Sequence, residues 1–253
     1  MSRGASVERT LLVFGLHACA ATLKRAAHEV LELWIRRDAG AELQAIADQA
    51  SALGVVVQRV PAPTLDRLSE GGVHQGIVLR RRTPASLDLN QLRAQLVGRT
   101  APPLLLAIDH PQDPHNLGAC LRVADGAGVD AVIIPRDRSV GLTAVVAKVA
   151  SGAADSVPLV QVGNLVRALE SLKEDGLWVV GATGETELDI YRVDLKVPLV
   201  MVLGAEGPGL RRLTRESCDL LAHIPMLGTV ESLNLSTAAA VCLFEARRQR
   251  MFG

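Results

Sequence analysis

The sequence predicts an α/β protein whose C-terminal half carries a mostly parallel sheet. Three observations lead there. Short runs of apolar and β-branched residues alternate with stretches of helical spacing along the chain. In the C-terminal half those runs are almost continuously apolar, as strands covered on both faces must be. Strand and helix also alternate regularly there, which places helices on both sides of a parallel sheet.

In the first 83 residues, 11–14, 31–35, 55–60 and 77–80 read as strands, and 18–27, 41–53 and 64–69 as helices. This is a compact α/β module spanning 1–83. The stretch 84–101 is polar and flanked by prolines, with one short helix over 89–96, and reads as a linker. A second domain, 102–253, restarts the alternation. Its expected strands are 104–108, 131–135, 178–182, 199–203 and 221–225, and its helices 117–127, 142–152, 165–174 and 235–250.

Composition narrows the function. The chain has 27 Lys/Arg and 27 Asp/Glu, so its net charge is zero, unlike a non-specific nucleic-acid binder. The first 83 residues hold 11 basic and 8 acidic side chains and are mildly basic; any RNA contact must use local clusters such as Arg80-Arg81-Arg82, Arg211-Arg212 or Arg247-Arg248. No apolar run reaches the roughly 18 residues that span a bilayer, and no secretory signal is evident. The four cysteines, Cys19, Cys120, Cys218 and Cys242, form no C-x-x-C pair. Reduced thiols, no metal and a cytoplasmic location are therefore expected.

Several nucleotide and catalytic signatures are missing. There is no G-x-x-x-x-G-K-[ST], no G-x-G-x-x-G after the first strand of either half, and no G-x-S-x-G elbow. Three other segments stand out where the chain leaves a strand: DHPQDPHNLG (109–118), LGAEGPG (203–209) and IPMLGTVESLNLS (224–236). Ligands of open α/β sheets bind at the carboxyl ends of strands, so three such edges point to one site.

Taken together, in this order, these segments resemble motifs 1, 2 and 3 of the SpoU class of SPOUT-superfamily RNA ribose methyltransferases. The resemblance covers 104–250. Phe14-Gly15-Leu16-His17 and Val73-His74-Gln75-Gly76 likewise resemble the L30e-like substrate-binding domain that precedes many members. What the resemblance implies is specific. The fold would be a SPOUT trefoil-knot domain after a small L30e-like α/β domain. The activity would be methyl transfer from S-adenosylmethionine to the ribose 2′-hydroxyl of a guanosine in 23S ribosomal RNA, in the peptidyl-transferase region. The enzyme would be a homodimer whose active site is completed across the interface. A transfer RNA substrate is an alternative, as is a non-catalytic ribosome-assembly factor that binds RNA.

The resemblance assigns catalytic roles to Asn116, Arg122, Glu206, Ser232 and Asn234, with Ser236 in support. It assigns the cofactor to Thr183, Leu203, Gly204, Ile224, Met226 and Leu233. The residues also have plainer readings. Asn116 follows Pro114 where a helix opens and reads as its N-cap, and Ser232 and Asn234 read as caps of the last helix. Arg122 reads either as a base or, since a guanidinium holds its proton, as a donor to the developing oxyanion or a phosphate. Gly204 reads as a place of close backbone approach. His74, His110 and His115 read as structural or RNA-contacting rather than metal-binding.

Overall fold

The computed structural model describes residues 10–83, 87–205, 207 and 209–252. In chain order the elements are β1 (Thr10–Phe14), α1 (Leu16–Ala26), β2 (Val30–Arg36), α2 (Ala41–Ala52), β3 (Val56–Val60), α3 (Ala62–Leu68), β4 (Ile77–Arg82), α4 (Leu89–Leu96), β5 (Leu104–Asp109), α5 (Pro114–Ala127), β6 (Ala131–Pro135) and α6 (Ala144–Ala150). Then come β7 (Leu159–Val162), α7 (Leu165–Glu174), β8 (Trp178–Ala182), β9 (Leu199–Gly204), α8 (Arg212–Glu216), β10 (Leu220–Ala222) and α9 (Leu235–Phe252). They form two compact units.

The first unit is a four-stranded sheet ordered β1-β4-β2-β3, antiparallel except for the β2–β3 pair. Its core includes Leu33, Ile35, Ile77 and Leu79, none of them solvent-exposed. The segment 143–155 belongs to this unit although it lies far along the chain. Asp155 explains how it is held: its carboxylate forms a buried ion pair with Arg81 and accepts from Thr22 Oγ1 at 3.1 Å. Arg25 Nη1 donates to the Gly152 carbonyl at 3.1 Å. A buried charge is tolerated only when paired and hydrogen-bonded, so Arg81 and Asp155 depend on one another.

The second unit is a six-stranded, wholly parallel sheet ordered β10-β8-β9-β5-β6-β7. All six residues of β5 are buried. Leu105 and Ala107 join one core with Ile133, Val179, Val200 and Leu169, while the alternate residues Leu104, Leu106 and Ile108 are also buried. Both faces of the strand are therefore covered, which is why the sequence is apolar at every position. Leu92 of α4 is buried in the same core, and α4 opens with a reciprocal capping box between Asp88 and Gln91.

Three elements depart from the expectation. β7 was not foreseen: it is a four-residue edge strand bounded by Pro158 and Gly163, in which Val160 and Val162 are buried and alternate with half-buried Leu159 and Gln161. α8 has five residues, too few to show a helical period. β10 stops at Ala222 rather than running to 225. Beyond it only His223 pairs, with Asp189, and Pro225 has no N–H to continue a ladder.

Candidate active site

The register of the parallel sheet sets up the site. Ala222 pairs with Ala182, Ala182 with Leu203, Ile108 with Leu203 and Asp109 with Gly204. The carboxyl ends of β10, β8, β9 and β5 thus finish level, and the three unusual segments leave this one edge, two from the neighbours β9 and β5 and one from β10 beyond β8. Thr183, Leu203 and Gly204 all lie on this edge, and Ile224 and Met226 follow within four residues of the end of β10.

Segment 109–118 turns sharply after β5. Asp113, not Asn116, is the N-cap of α5: its carboxylate accepts from the His115 backbone N–H at 2.8 Å. Pro114 explains the shift, because it supplies a fixed φ and no N–H at the first helical position. Asn116 is moved inside the first turn, is 8% exposed, and donates from Nδ2 to Asp113 Oδ2 at 3.0 Å. Its Oδ1 accepts from Asn234 Nδ2 at 3.0 Å.

Asn234 caps α9, as the sequence suggested. Its Oδ1 accepts from the Ser236 backbone N–H at 2.9 Å and from the Ser236 hydroxyl at 2.7 Å. α9 is in turn fastened along α5, where Arg247 Nε donates to the Ala127 carbonyl at 2.8 Å. Ser232 is exposed and Leu233 half-buried in the loop that precedes the cap. Glu206 lies outside the described residues.

Gly204 is constrained by the chain itself. A Cβ there would sit 2.0 Å from the Gly209 carbonyl carbon and 2.3 Å from the Leu210 nitrogen. Gly209 and Leu210 come back against the end of β9, with Ala205 and Gly209 bridged. The close approach expected at Gly204 is present, and its partner is this chain's own backbone.

Asp109, His110 and Arg211 form a relay that the sequence did not reveal as a site. Asp109 is 1% exposed; its Oδ2 accepts from the Arg211 backbone N–H at 2.9 Å. Arg211 Nη1 lies 2.8 Å from His110 Nε2, and His110 Nδ1 lies 2.5 Å from Asp109 Oδ1. A guanidinium can only donate, so Nε2 is the acceptor and the ring proton sits on Nδ1, donated to Asp109. His110 is neutral in this arrangement. It holds a left-handed backbone, φ 60°, an uncommon conformation for a residue with a side chain. The sequence signals were the 109–118 segment, in which His110 reads as structural or RNA-contacting, and the Arg211-Arg212 pair; nothing in the sequence joined them.

A cavity of about 440 Å³ opens at this edge, walled by Asp109, His110, Asp113, Asn116, Arg211 and Leu235 among others. Asn116 and, through it, Asn234 are brought to the cavity. Arg122 is not among its lining residues: it lies on the exposed side of α5.

The residues assigned to the cofactor fit an adenosyl sulfonium in their chemistry. Ile224, Met226 and Leu233 are half-buried apolar side chains, and Gly204 and Ala205 add no bulk. Among the described residues, no backbone group of 224–233 pairs with another, leaving amides and carbonyls to meet a polar ligand edge. Also among the described residues, no cluster of three or more His, Cys, Asp or Glu side chains is placed to hold a metal ion. No helix there is long and apolar enough to cross a membrane.

Comparison with known proteins agrees with this geometry. Residues 103–244 match the SpoU rRNA Methylase family, and 12–85 match a family described as RNA 2′-O ribose methyltransferase substrate binding. Over 240 residues the chain is 50% identical to the 23S rRNA (guanosine-2′-O-)-methyltransferase RlmB of Shewanella oneidensis, covering 94% of this chain and 97% of that protein. Over 247 residues it is 49% identical to the protein of that name from Ralstonia nicotianae, covering 96% and 98%. A solved RNA 2′-O ribose methyltransferase superposes with a TM-score of 0.76 at 26% identity, covering 97% of this chain and 90% of the other. The fold is also that of the SpoU methyltransferase AviRb from Streptomyces viridochromogenes, solved in complex with AdoMet: TM-score 0.79 at 23% identity, over 96% and 92%. With a family match across more than half its length and relatives near half-identical end to end, the chain belongs to the SpoU rRNA methylase family.

Proposed function

We propose that this protein transfers a methyl group from S-adenosylmethionine to the ribose 2′-hydroxyl of a guanosine in 23S ribosomal RNA. The observation that carries the reading is the Asn116–Asn234 hydrogen bond, which joins the first and third motifs at the cavity on the carboxyl edge of the sheet. Relatives near 50% identity over almost their whole length carry that activity in their names.

S-adenosylmethionine, when bound, supplies an electrophilic methyl group on a sulfonium. The remaining work belongs to this chain. Thr183, Leu203, Gly204, Ile224, Met226 and Leu233 hold the adenosyl and methionyl parts through backbone groups and apolar contact. Asn116 and Asn234 orient the ribose, and holding oxygen, carbon and sulfur in line can supply roughly 7–11 kcal/mol of the barrier. Arg122 donates hydrogen bonds to the hydroxyl oxygen as it gains negative charge, a role its planar fork suits better than proton abstraction. Glu206 and Ser232 order the loops around them. The first unit supplies the RNA-binding surface.

Arg122 lies outside the cavity of its own chain, which supports a homodimer in which each subunit completes the other's site. The same reading includes a trefoil-knotted second domain and a cytoplasmic enzyme acting on large-subunit RNA. The test is a map of 2′-O-methyl marks on ribosomal and transfer RNA from cells with and without the gene. Loss of one guanosine mark in 23S RNA is the expected result. Loss from transfer RNA alone would overturn the substrate, and no change in either would favour a non-catalytic assembly factor.

A further inference from the structure

We infer that the cavity beside Asn116 is the pocket for the target base, and that Arg211, held by His110 and Asp109, reads its guanine edge. This rests on the guanosine reaction proposed above and deepens it by assigning base specificity to residues outside the catalytic set.

The lining chemistry selects the occupant. Arg211 is the cation, Asp109 and Asp113 are the carboxylates, and His110 is neutral by its hydrogen bonding. The balance is one negative charge, which repels a phosphate rather than drawing it in. A neutral ring with donors and acceptors on one edge is a better match. Guanine presents O6 and N7 as acceptors and its ring N–H and amino group as donors, and an arginine fork on O6 and N7 is the commonest specific contact to it. Asp113 keeps unused lone pairs after accepting from His115 and Asn116, and Gln112 is exposed at the same wall. These meet the donor side. Pro111 and Leu235 offer buried apolar surface to the ring faces. A volume of about 440 Å³ admits a purine with room for part of its sugar.

The relay explains why Arg211 can discriminate. A free arginine at a surface samples many rotamers, and ordering it costs side-chain entropy. Here one Nη is already fixed by His110, His110 is fixed by buried Asp109, and the Arg211 backbone is tied to the same carboxylate. The remaining N–H groups are therefore oriented before the base arrives. Among the described residues, Arg211 has no ion-pair partner that would compete. His110 keeps a left-handed backbone at a cavity wall, where strained conformations are retained for positioning.

Titration of the full chain with guanosine, inosine and adenosine 5′-monophosphates tests this. Guanosine monophosphate should bind about ten- to hundredfold more tightly than adenosine monophosphate, with inosine monophosphate between them. Arg211→Ala should erase the preference. His110→Asn, which tolerates the left-handed backbone and keeps the fold, should reduce it while thermal unfolding stays close to that of the parent. The inference is overturned if the parent binds the nucleotides equally or binds none at millimolar concentration. It is also overturned if Arg211→Ala weakens all three by one factor. A guanine preference in a protein that methylates no RNA would support the pocket and overturn the proposed reaction instead.

Discussion

Asn234 Nδ2 donates to Asn116 Oδ1 across 118 positions of sequence, and the same Asn234 caps the last helix through its own Oδ1. One amide therefore does two jobs: it starts α9 and it fixes the side chain that faces the cavity. Asp113 takes the cap of α5, which leaves the Asn116 side chain inside the first turn, where it meets Asn234.

This arrangement predicts strong coupling. Asn234→Ala should destabilise the fold by about 0.5–2 kcal/mol through the lost cap. A double-mutant cycle with Asn116→Ala should show a coupling energy of about 0.5–3 kcal/mol in denaturant titrations. Additive losses would mean that the hydrogen bond is energetically idle.

Arg122 should behave differently from both. It is exposed, so Arg122→Ala should leave the unfolding midpoint and cofactor affinity near those of the parent. Methyl transfer should fall at least about a hundredfold, the usual effect of losing an oxyanion donor. If sites are shared between subunits, mixing Arg122→Ala with Asn116→Ala protein after co-refolding should restore part of the activity. No restoration would place both residues in one subunit's site.

Gly204→Ala should be poorly tolerated. The added methyl would overlap the 209–210 backbone, so Gly209 and Leu210 must shift. A loss of about 1–3 kcal/mol in stability is expected from overpacking. Cofactor affinity, measured by calorimetry, should fall as well; unchanged affinity would separate this turn from the cofactor site.

Glu245 makes stability depend on pH in the acid range. The Arg248 guanidinium, aided by Gln249, holds its carboxyl below its ordinary value of 4.5, against the opposing effect of burial. A carboxyl depressed on folding stabilises the protein above its unfolded value and loses that contribution as pH falls through the folded one. The urea midpoint should therefore drop below about pH 4.5, and Glu245→Gln should lose part of that drop and be less stable at pH 7. Identical acid profiles for the two proteins would show that the pair contributes nothing.

Much of this protein was legible before any coordinates. β5, β6 and β9 are continuous apolar runs because both sheet faces are covered, and a run of that kind announces itself. β7 was missed because four residues, of which Val160 and Val162 are buried, are too few for the alternation of an edge strand to stand out. Asn116 was misread as a cap because Asp113 and Asn116 are both good capping residues, and only Pro114's place in the first turn separates them. Gly204 was read correctly as a point of close approach, but the neighbour that makes it so comes from 209–210.

The sequence by itself determined the fold class and the three segments that leave the sheet edge, because those follow from local pattern and spacing, and the resemblance of those segments pointed to the family. Only the tertiary structure decided that Asn116 meets Asn234, that Asp109, His110 and Arg211 form one relay, and that Arg122 is exposed and does not line the cavity. Such pairings span about a hundred residues and depend on strand register and helix rotation, which no local pattern encodes.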